Sequence, residues 1–201
     1  MTKLNVVTAF NENSLKDHAH QMFDRVDKFW HPDIKLSAYH FECALEAYSL
    51  PETITYKNLE DVEEFNEFRT SMDVHNGTEN GTVEYNWRID TLLTAPKVFS
   101  LTEEAFKIAE ETKDGGWLLW MNTNVIPIDN LTSDFVHDFL PEGADIVHLS
   151  GDSVESTPDQ YSDPCFMAFN LDHQAPLDLL GDYRGAYESG EVLSYREWHE
   201  A

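Results

Sequence analysis

A chain of 201 residues, 41% apolar and 12% aromatic, has the material for one sizeable core and is too apolar for an intrinsically disordered protein. Its 38 acidic residues outnumber 13 basic ones, for a formal charge of -25. A surface that negative repels phosphate backbones and anionic lipids, which excludes general nucleic-acid binding through a basic face.

Leu4 to Phe10 predicts a buried first strand, ended by Asn11-Glu-Asn-Ser14, where Asn13 or Ser14 can cap a helix. Leu15, Ala19, Met22, Val26 and Phe29 then recur at steps of four and three, one helical face, until Pro32 stops it. Ile34 to Phe41 reads as a second strand, and strand, helix, strand with short joins predicts a right-handed parallel crossover. Pro51 to Tyr56 reads as a short extended piece. Leu59, Val62, Phe65, Phe68 and Met72 form a helical stripe whose surrounding acids are a solvated face. His75 to Thr82 reads as loop on two Asn-Gly turn signals, and Tyr85 to Leu93 as helix. Pro96 opens or kinks the next helix, which Val98, Leu101, Ala105, Ile108 and Ala109 mark and Asp114-Gly-Gly116 ends.

Trp117 to Met121 is an unbroken apolar run between glycine and Asn122-Thr-Asn124, as in a central strand buried on both faces. Leu131 to Leu140 follows as a short helix, Pro141 to Gly143 as a turn and Ile146 to Leu149 as a strand. Gly151 to Pro164 is a polar loop long enough to suspect function. Cys165 to Asn170 is a strand and Pro176 to Ser189 a helix. With no linker in sight, the expectation is one α/β domain over residues 1–201, a mainly parallel sheet with helices on both faces. Ligands of such sheets sit beyond the carboxyl ends of the strands.

Cys43 and Cys165 make neither a metal-spaced pair nor a disulfide framework and are expected as free thiols. No signal-peptide apolar region opens the chain and no run approaches a membrane span, so a cytoplasmic location is expected. Without secretion, the Asn-x-Thr triplets at Asn76, Asn80 and Asn130 carry no glycosylation message. His18 and His20 stand at a spacing that does not face one another on a helix, and no nucleophile elbow, Walker loop or dinucleotide fingerprint occurs. The most informative position is the exit of the Trp117 to Met121 strand. In extended backbone Asn122 and Asn124 would point the same way and bracket one ligand or one cation. Asparagine is also a common turn residue, and both readings stand open.

Gly116-Trp-Leu-Leu-Trp-Met-Asn-Thr-Asn-Val-Ile126 resembles the segment that carries the Asp-x-Asp motif in GT-A glycosyltransferases, closest to a bacterial and phage group whose strand reads Trp-Leu-Asp-Ala-Asp-Thr. Other segments fall in matching order: Val6-Val-Thr-Ala-Phe-Asn11, Asp90-Thr-Leu-Leu-Thr-Ala-Pro-Lys-Val-Phe99, Gly143 to Leu149, Cys165 to Leu171, and Arg196-Glu-Trp-His199. The resemblance covers nearly the whole chain. It implies a GT-A fold, a nucleotide-sugar donor, an unidentified acceptor, and a home inside a bacterium or infected host cell. Thr8, Phe10 and Asn11 would hold base and ribose, Asn122 the ribose or metal shell, and Lys97 the diphosphate. Asn124 and His199 would be metal ligands, and Asp163 and Glu200 the catalytic or acceptor-orienting acids.

The motif departs from the family in one chemical respect. Replacing carboxylate by amide keeps an oxygen but removes a full charge, so a divalent cation (Mn²⁺ or Mg²⁺) is expected to bind weakly. The amides also bring N–H donors for phosphate or ribose. Three explanations stand open: an enzyme with weak or no metal dependence, a pseudoenzyme, and a deliberate double substitution. The family's sequence continues past its Trp-His-acid element whereas this chain stops at Ala201, which implies a truncated acceptor side. Beside a transferase stand two alternatives: a binding module of the same fold, and an acidic interaction or inhibitor protein, which the -25 charge motivates.

Overall fold

The computed structural model describes residues 3–72, 76–78, 85–112, 115–150 and 162–194. The N-terminal half alternates β1 (Leu4–Phe10), a helical run, β2 (Ile34–His40) and β3 (Thr55–Asn58). That run comprises α1 (Glu12–Ser14), a π-helical stretch (Leu15–Ala19) and α2 (His20–Phe29). After β3 come α3 (Glu63–Met72), β4 (Asn76–Thr78), β5 (Tyr85–Asp90), the long α4 (Thr91–Glu111) and β6 (Trp117–Met121). The chain continues through α5 (Ser133–His137), β7 (Ile146–Ser150), β8 (Ser162–Asn170) and α6 (Gln174–Glu188).

Six strands form one sheet in the order β3-β2-β1-β6-β8-β7. β3, β2, β1 and β6 are mutually parallel. β8 runs antiparallel to both β6 and β7, so the sheet is mainly parallel with one reversed strand near an edge. Trp117, Leu119 and Met121 face one core with Phe10, Met22, Phe23 and Val26. Leu118 and Trp120 face the other with Phe65, Phe99, Leu180 and Tyr187. Helix α2 therefore covers one face, and α3, α4 and α6 the other. Period-2 alternation with bulky apolar and aromatic side chains on both faces sends β6 to the middle, as its sequence predicts.

β6 is pinned at its start. Gly116 has φ 72°, and a Cβ there would lie 2.3 Å from the Lys3 carbonyl oxygen, so only glycine fits. Its N–H donates to Asp172 Oδ1 at 3.0 Å, and the Trp117 N–H donates to Lys3 O at 3.0 Å.

One helix expectation fails. Tyr85–Asp90 is a strand, paired antiparallel with Asn76–Thr78. Asp90 ends it by capping α4, its Oδ1 accepting from Leu92 N (3.0 Å) and Leu93 N (3.1 Å). Pro96 lies inside α4 and does not open it. Thr55–Asn58 and Ser162–Asn170 also extend strands beyond the expected pieces. The two cysteines are half-buried and not disulfide-bonded.

The second core holds a charged cluster. Glu104 of α4 accepts hydrogen bonds from Ser37 Oγ (2.9 Å), Tyr39 Oη (2.9 Å) and Lys57 Nζ, tying the helix to β2 and β3. Burial, then the Glu104 charge, pushes the Tyr39 phenol well above its usual value. Removing one partner of such a cluster strands the others. Glu104→Ala is expected to lower stability by about 3–5 kcal/mol, read as a lower urea midpoint with an unchanged slope.

His40 supplies a pH response. Its Nδ1 is buried with no hydrogen-bond partner among the described residues. Burial draws its pKa below the ordinary value, against the opposing pull of Glu60, Asp61 and Glu46. The unfolded chain then takes up a proton near pH ~6.5 that the folded chain refuses, so stability falls as pH drops below that value. His40→Gln is expected to flatten the decline between about pH 6.5 and 5.5, measured by thermal melting across that range.

Candidate functional site

After β1 the chain moves outward to β2 and β3, then returns across the sheet to β6 on β1's other side. Such a reversal opens a crevice beyond the carboxyl ends of the two strands, the standard ligand position in open α/β sheets. A cleft of about 490 Å³ lies there, lined by residues from the end of β1, the helical run after it, the first turns of α4 and the exit of β6.

The β1 side is built by a capping box. Asn11 Oδ1 accepts from Ser14 N and Ser14 Oγ accepts from Asn11 N, both at 2.9 Å. The π-helical stretch follows at once and puts His18 in the cleft wall. Such turns are rare and recur at functional sites. The Phe10 side chain packs edge-on against Phe23 at 5.1 Å in the core, so Phe10 meets the cleft only as its floor.

At the β6 exit the backbone turns: Val125 N donates to Asn122 O at 3.0 Å. The extended arrangement of the asparagine pair is thus replaced by a turn, although Asn122, Thr123 and Asn124 all line the cleft. Asn122 is locked. Its Oδ1 accepts from Trp120 Nε1 at 2.7 Å, its Nδ2 donates to Cys165 Sγ at 3.3 Å, and its N–H donates to Cys165 O at 3.0 Å. Turning the amide away would strand a partly buried indole N–H, at a cost of about 1–3 kcal/mol. Asn124 is exposed. Lys97 reaches the cleft from α4, 6% exposed, its ammonium 5.3 Å from the centre of the Trp120 ring and 3.6 Å from Met167 Sδ.

A second chamber of about 720 Å³ adjoins the first and shares Asn11, Phe41, Leu93 and Pro96 with it. Its wall includes Phe41, packed on Phe65 at 5.9 Å between ring centres, and Arg69. Arg69 pairs with Glu42 and with Glu60 (3.2 Å). Glu42 has φ 47°, a left-handed conformation that costs a non-glycine residue about 1–3 kcal/mol and recurs at ligand clamps. Sequence reading missed Phe41, Glu42, Arg69 and His18. A signal existed for the first two: they follow directly on β2, whose His40 is in register with Phe10 of β1.

Other expected positions fall differently. Thr8 is fully buried within β1 and offers no surface to a ligand. Asp163 stands on β8, opposite Leu149 in register and two residues before Cys165, so its backbone is at the edge where Asn122 sits; its side chain lies outside the described part. His199 and Glu200 lie outside the described residues, as does the loop 151–161. Among the described residues no three His, Cys, Asp or Glu side chains come together, and the described walls of the 490 Å³ cleft hold no carboxylate. Asn122 is already committed to Trp120 and Cys165. The described donors alone do not fit Mn²⁺ or Mg²⁺, which need several hard, preferably anionic oxygens. No helix among the described residues is long and apolar enough to cross a membrane.

No family model and no curated protein sequence matches the chain. Among solved structures it is similar to mouse xyloside xylosyltransferase 1 in its apo form, at 8% identity over 98% of this chain and 77% of that one, with a TM-score of 0.52. It is also similar to the bifunctional glycosyltransferase WbbM in its apo form, at 10% identity over 98% of this chain and 35% of that one, with a TM-score of 0.51. At these identities the likeness carries the fold and nothing finer: the chain has the GT-A-like α/β fold of glycosyltransferases.

Proposed function

We propose that this protein binds a nucleotide-diphospho-sugar in the cleft between the ends of β1 and β6 and transfers the sugar to an acceptor. One observation carries the reading. Phe10 and Asn11, Lys97, and Asn122 and Asn124 come from three distant segments and line a single cleft at the sheet's switch point. Together with the adjoining chamber, its volume suits a nucleotide sugar.

In this reading the nucleoside lies in the larger chamber against Phe41 and Arg69, and the diphosphate lies over the Asn122–Asn124 turn. Transfer separates the sugar's anomeric carbon from the diphosphate oxygen, and charge develops on that leaving oxygen. Lys97 is assigned to neutralise it. Its burial strengthens the attraction, since little water competes at 6% exposure. The acceptor approaches from the opposite side of the sugar, where Asp163 and Glu200 are assigned as orienting or proton-accepting acids. The net charge of -25 opposes approach of an anionic donor, so a local cation has to overcome a repulsive far field.

A second reading is binding without turnover, and the locked amide of Asn122 favours it: that side chain serves Trp120 and Cys165 and cannot also follow a changing ligand. Titration calorimetry with UDP-, GDP-, CDP- and dTDP-sugars tests both readings. At least one is expected to bind, and Lys97→Met is expected to weaken it by about 10-fold or more. Failure of every nucleotide sugar to bind would sink the proposal. Binding that survives with no donor hydrolysis and no transfer assigns the silent role.

A further inference from the structure

Resting on the nucleotide-sugar reading, we infer that the larger chamber selects guanine among the bases, with Glu42 as the specificity-determining residue, so that the donor is a guanosine-diphospho-sugar. The polar edge that the chamber offers a base is built by two side chains. Glu42 and Arg69 line it side by side as an ion pair. Arg69 Nη2 holds Glu42 Oε1, its Nη1 donates to Glu60 Oε1 at 3.2 Å, and the guanidinium lies 5.5 Å from the centre of the Phe65 ring. The guanidinium fork has more N–H groups than these two bonds use. Glu42 Oε2 takes no part in the pair. The wall thus sets donors beside a carboxylate that can only accept.

The bases differ in what they can put against such a wall. Along its pairing edge guanine has an acceptor, O6, followed by two donors, N1–H and the 2-amino group. The guanidinium matches the first and the carboxylate the other two. Uracil and thymine follow their one donor with a second carbonyl, which would meet the carboxylate oxygen to oxygen. Adenine and cytosine follow their amino group with a ring nitrogen that accepts, and it too would face the carboxylate. Glu42 therefore rewards guanine and penalises the others, so discrimination comes from repulsion as well as attraction.

Three further observations support the assignment. Glu42 stands at φ 47°, a conformation that glycine would take without strain, and a carboxylate is kept there with its head held by Arg69. Asn66, another wall residue, donates its Nδ2 to Glu60 O at 2.6 Å, so what it has left for a ligand is its carbonyl oxygen, a further acceptor. Phe41, tied to the end of β1 by its N–H to Phe10 O at 3.1 Å, borders both the chamber and the cleft and offers an aromatic face to a base. A carboxylate is compatible with an anionic donor at this end of the site, because the base is the uncharged end of the ligand.

The test is titration calorimetry with GDP, IDP, UDP, CDP and ADP, each in excess Mn²⁺ and in excess EDTA. IDP keeps the O6 and N1–H of guanine and lacks only its 2-amino group. GDP is expected to bind about 10-fold or more tighter than UDP, CDP and ADP, and about 5–10-fold tighter than IDP. Glu42→Gly keeps the left-handed backbone and removes the carboxylate. It is expected to weaken GDP by about 10-fold or more and to close the gap between GDP and IDP, while UDP binds at least as well as to the parent. Circular dichroism and melting temperature establish that the variant is folded. A diphosphate of adenine, cytosine or uracil that binds as tightly as GDP overturns the inference and leaves the nucleotide-sugar reading standing. A preference for GDP over IDP that survives in Glu42→Gly, or a loss shared equally by every diphosphate, overturns the assignment of Glu42. No binding of any diphosphate or nucleotide sugar in either buffer overturns the nucleotide-sugar reading, and this inference with it.

Discussion

Five apolar and aromatic residues, Trp117 to Met121, whose only polar side-chain groups are two indole N–H groups, set the constraint from which the rest follows. Such a strand has to be sealed on both faces, so it takes a central place and draws helices to each side: α2 against Trp117, Leu119 and Met121, and α3, α4 and α6 against Leu118 and Trp120. A strand of this kind can carry polar groups only where it ends. Its exit is therefore the first point at which chemistry can appear, and there Trp120 turns its one polar atom to Asn122. The same indole is a core side chain on its ring and a site residue at its nitrogen.

The helices on the second face are held by charge as well as by packing. Glu104 joins α4 to Ser37, Tyr39 and Lys57 of the sheet. Arg184 of α6 reaches Glu64 of α3 at 3.1 Å, Glu103 of α4 at 3.5 Å and Glu188 of its own helix at 2.6 Å, with its guanidinium 5.5 Å from the Phe99 ring centre. In a chain with 13 basic residues, spending Lys57 and Arg184 inside this layer fixes α4, and α4 carries Lys97. The position of the cleft's ammonium thus depends on ion pairs about two turns further along the same helix.

Much of this architecture is legible from residue pattern alone. β1 and β6 match their predicted spans because unbroken apolar runs between turn residues have few alternatives. Tyr85 to Leu93 misled because two signals overlap: Tyr85, Trp87 and Ile89 alternate with Asn86, Arg88 and Asp90, a strand rhythm, and Asp90 then opens a helix. The π-helical stretch has no pattern of its own, since Leu15, Ala19, Met22 and Val26 fit an ordinary helix, and the i, i+2 spacing of His18 from His20 points to no shared ligand. Phe10, Asn11, Lys97, Asn122 and Asn124 could be placed near one another by topology and family resemblance. The turn at Asn122 is one of the two readings its asparagines allow, whereas the pairing of Arg69 with Glu42 is not legible, because it depends on side chains brought together from distant segments.

β8 runs against its neighbours, and β7 pairs with it so that Ser150 stands opposite Ser162. Both strand ends reach the edge that holds Asn122. A connection between two such ends can change length without touching a ladder bond in the middle of the sheet, because loop closure grows costlier only slowly with length. One reversed strand thereby separates the rim of this sheet from the integrity of its centre.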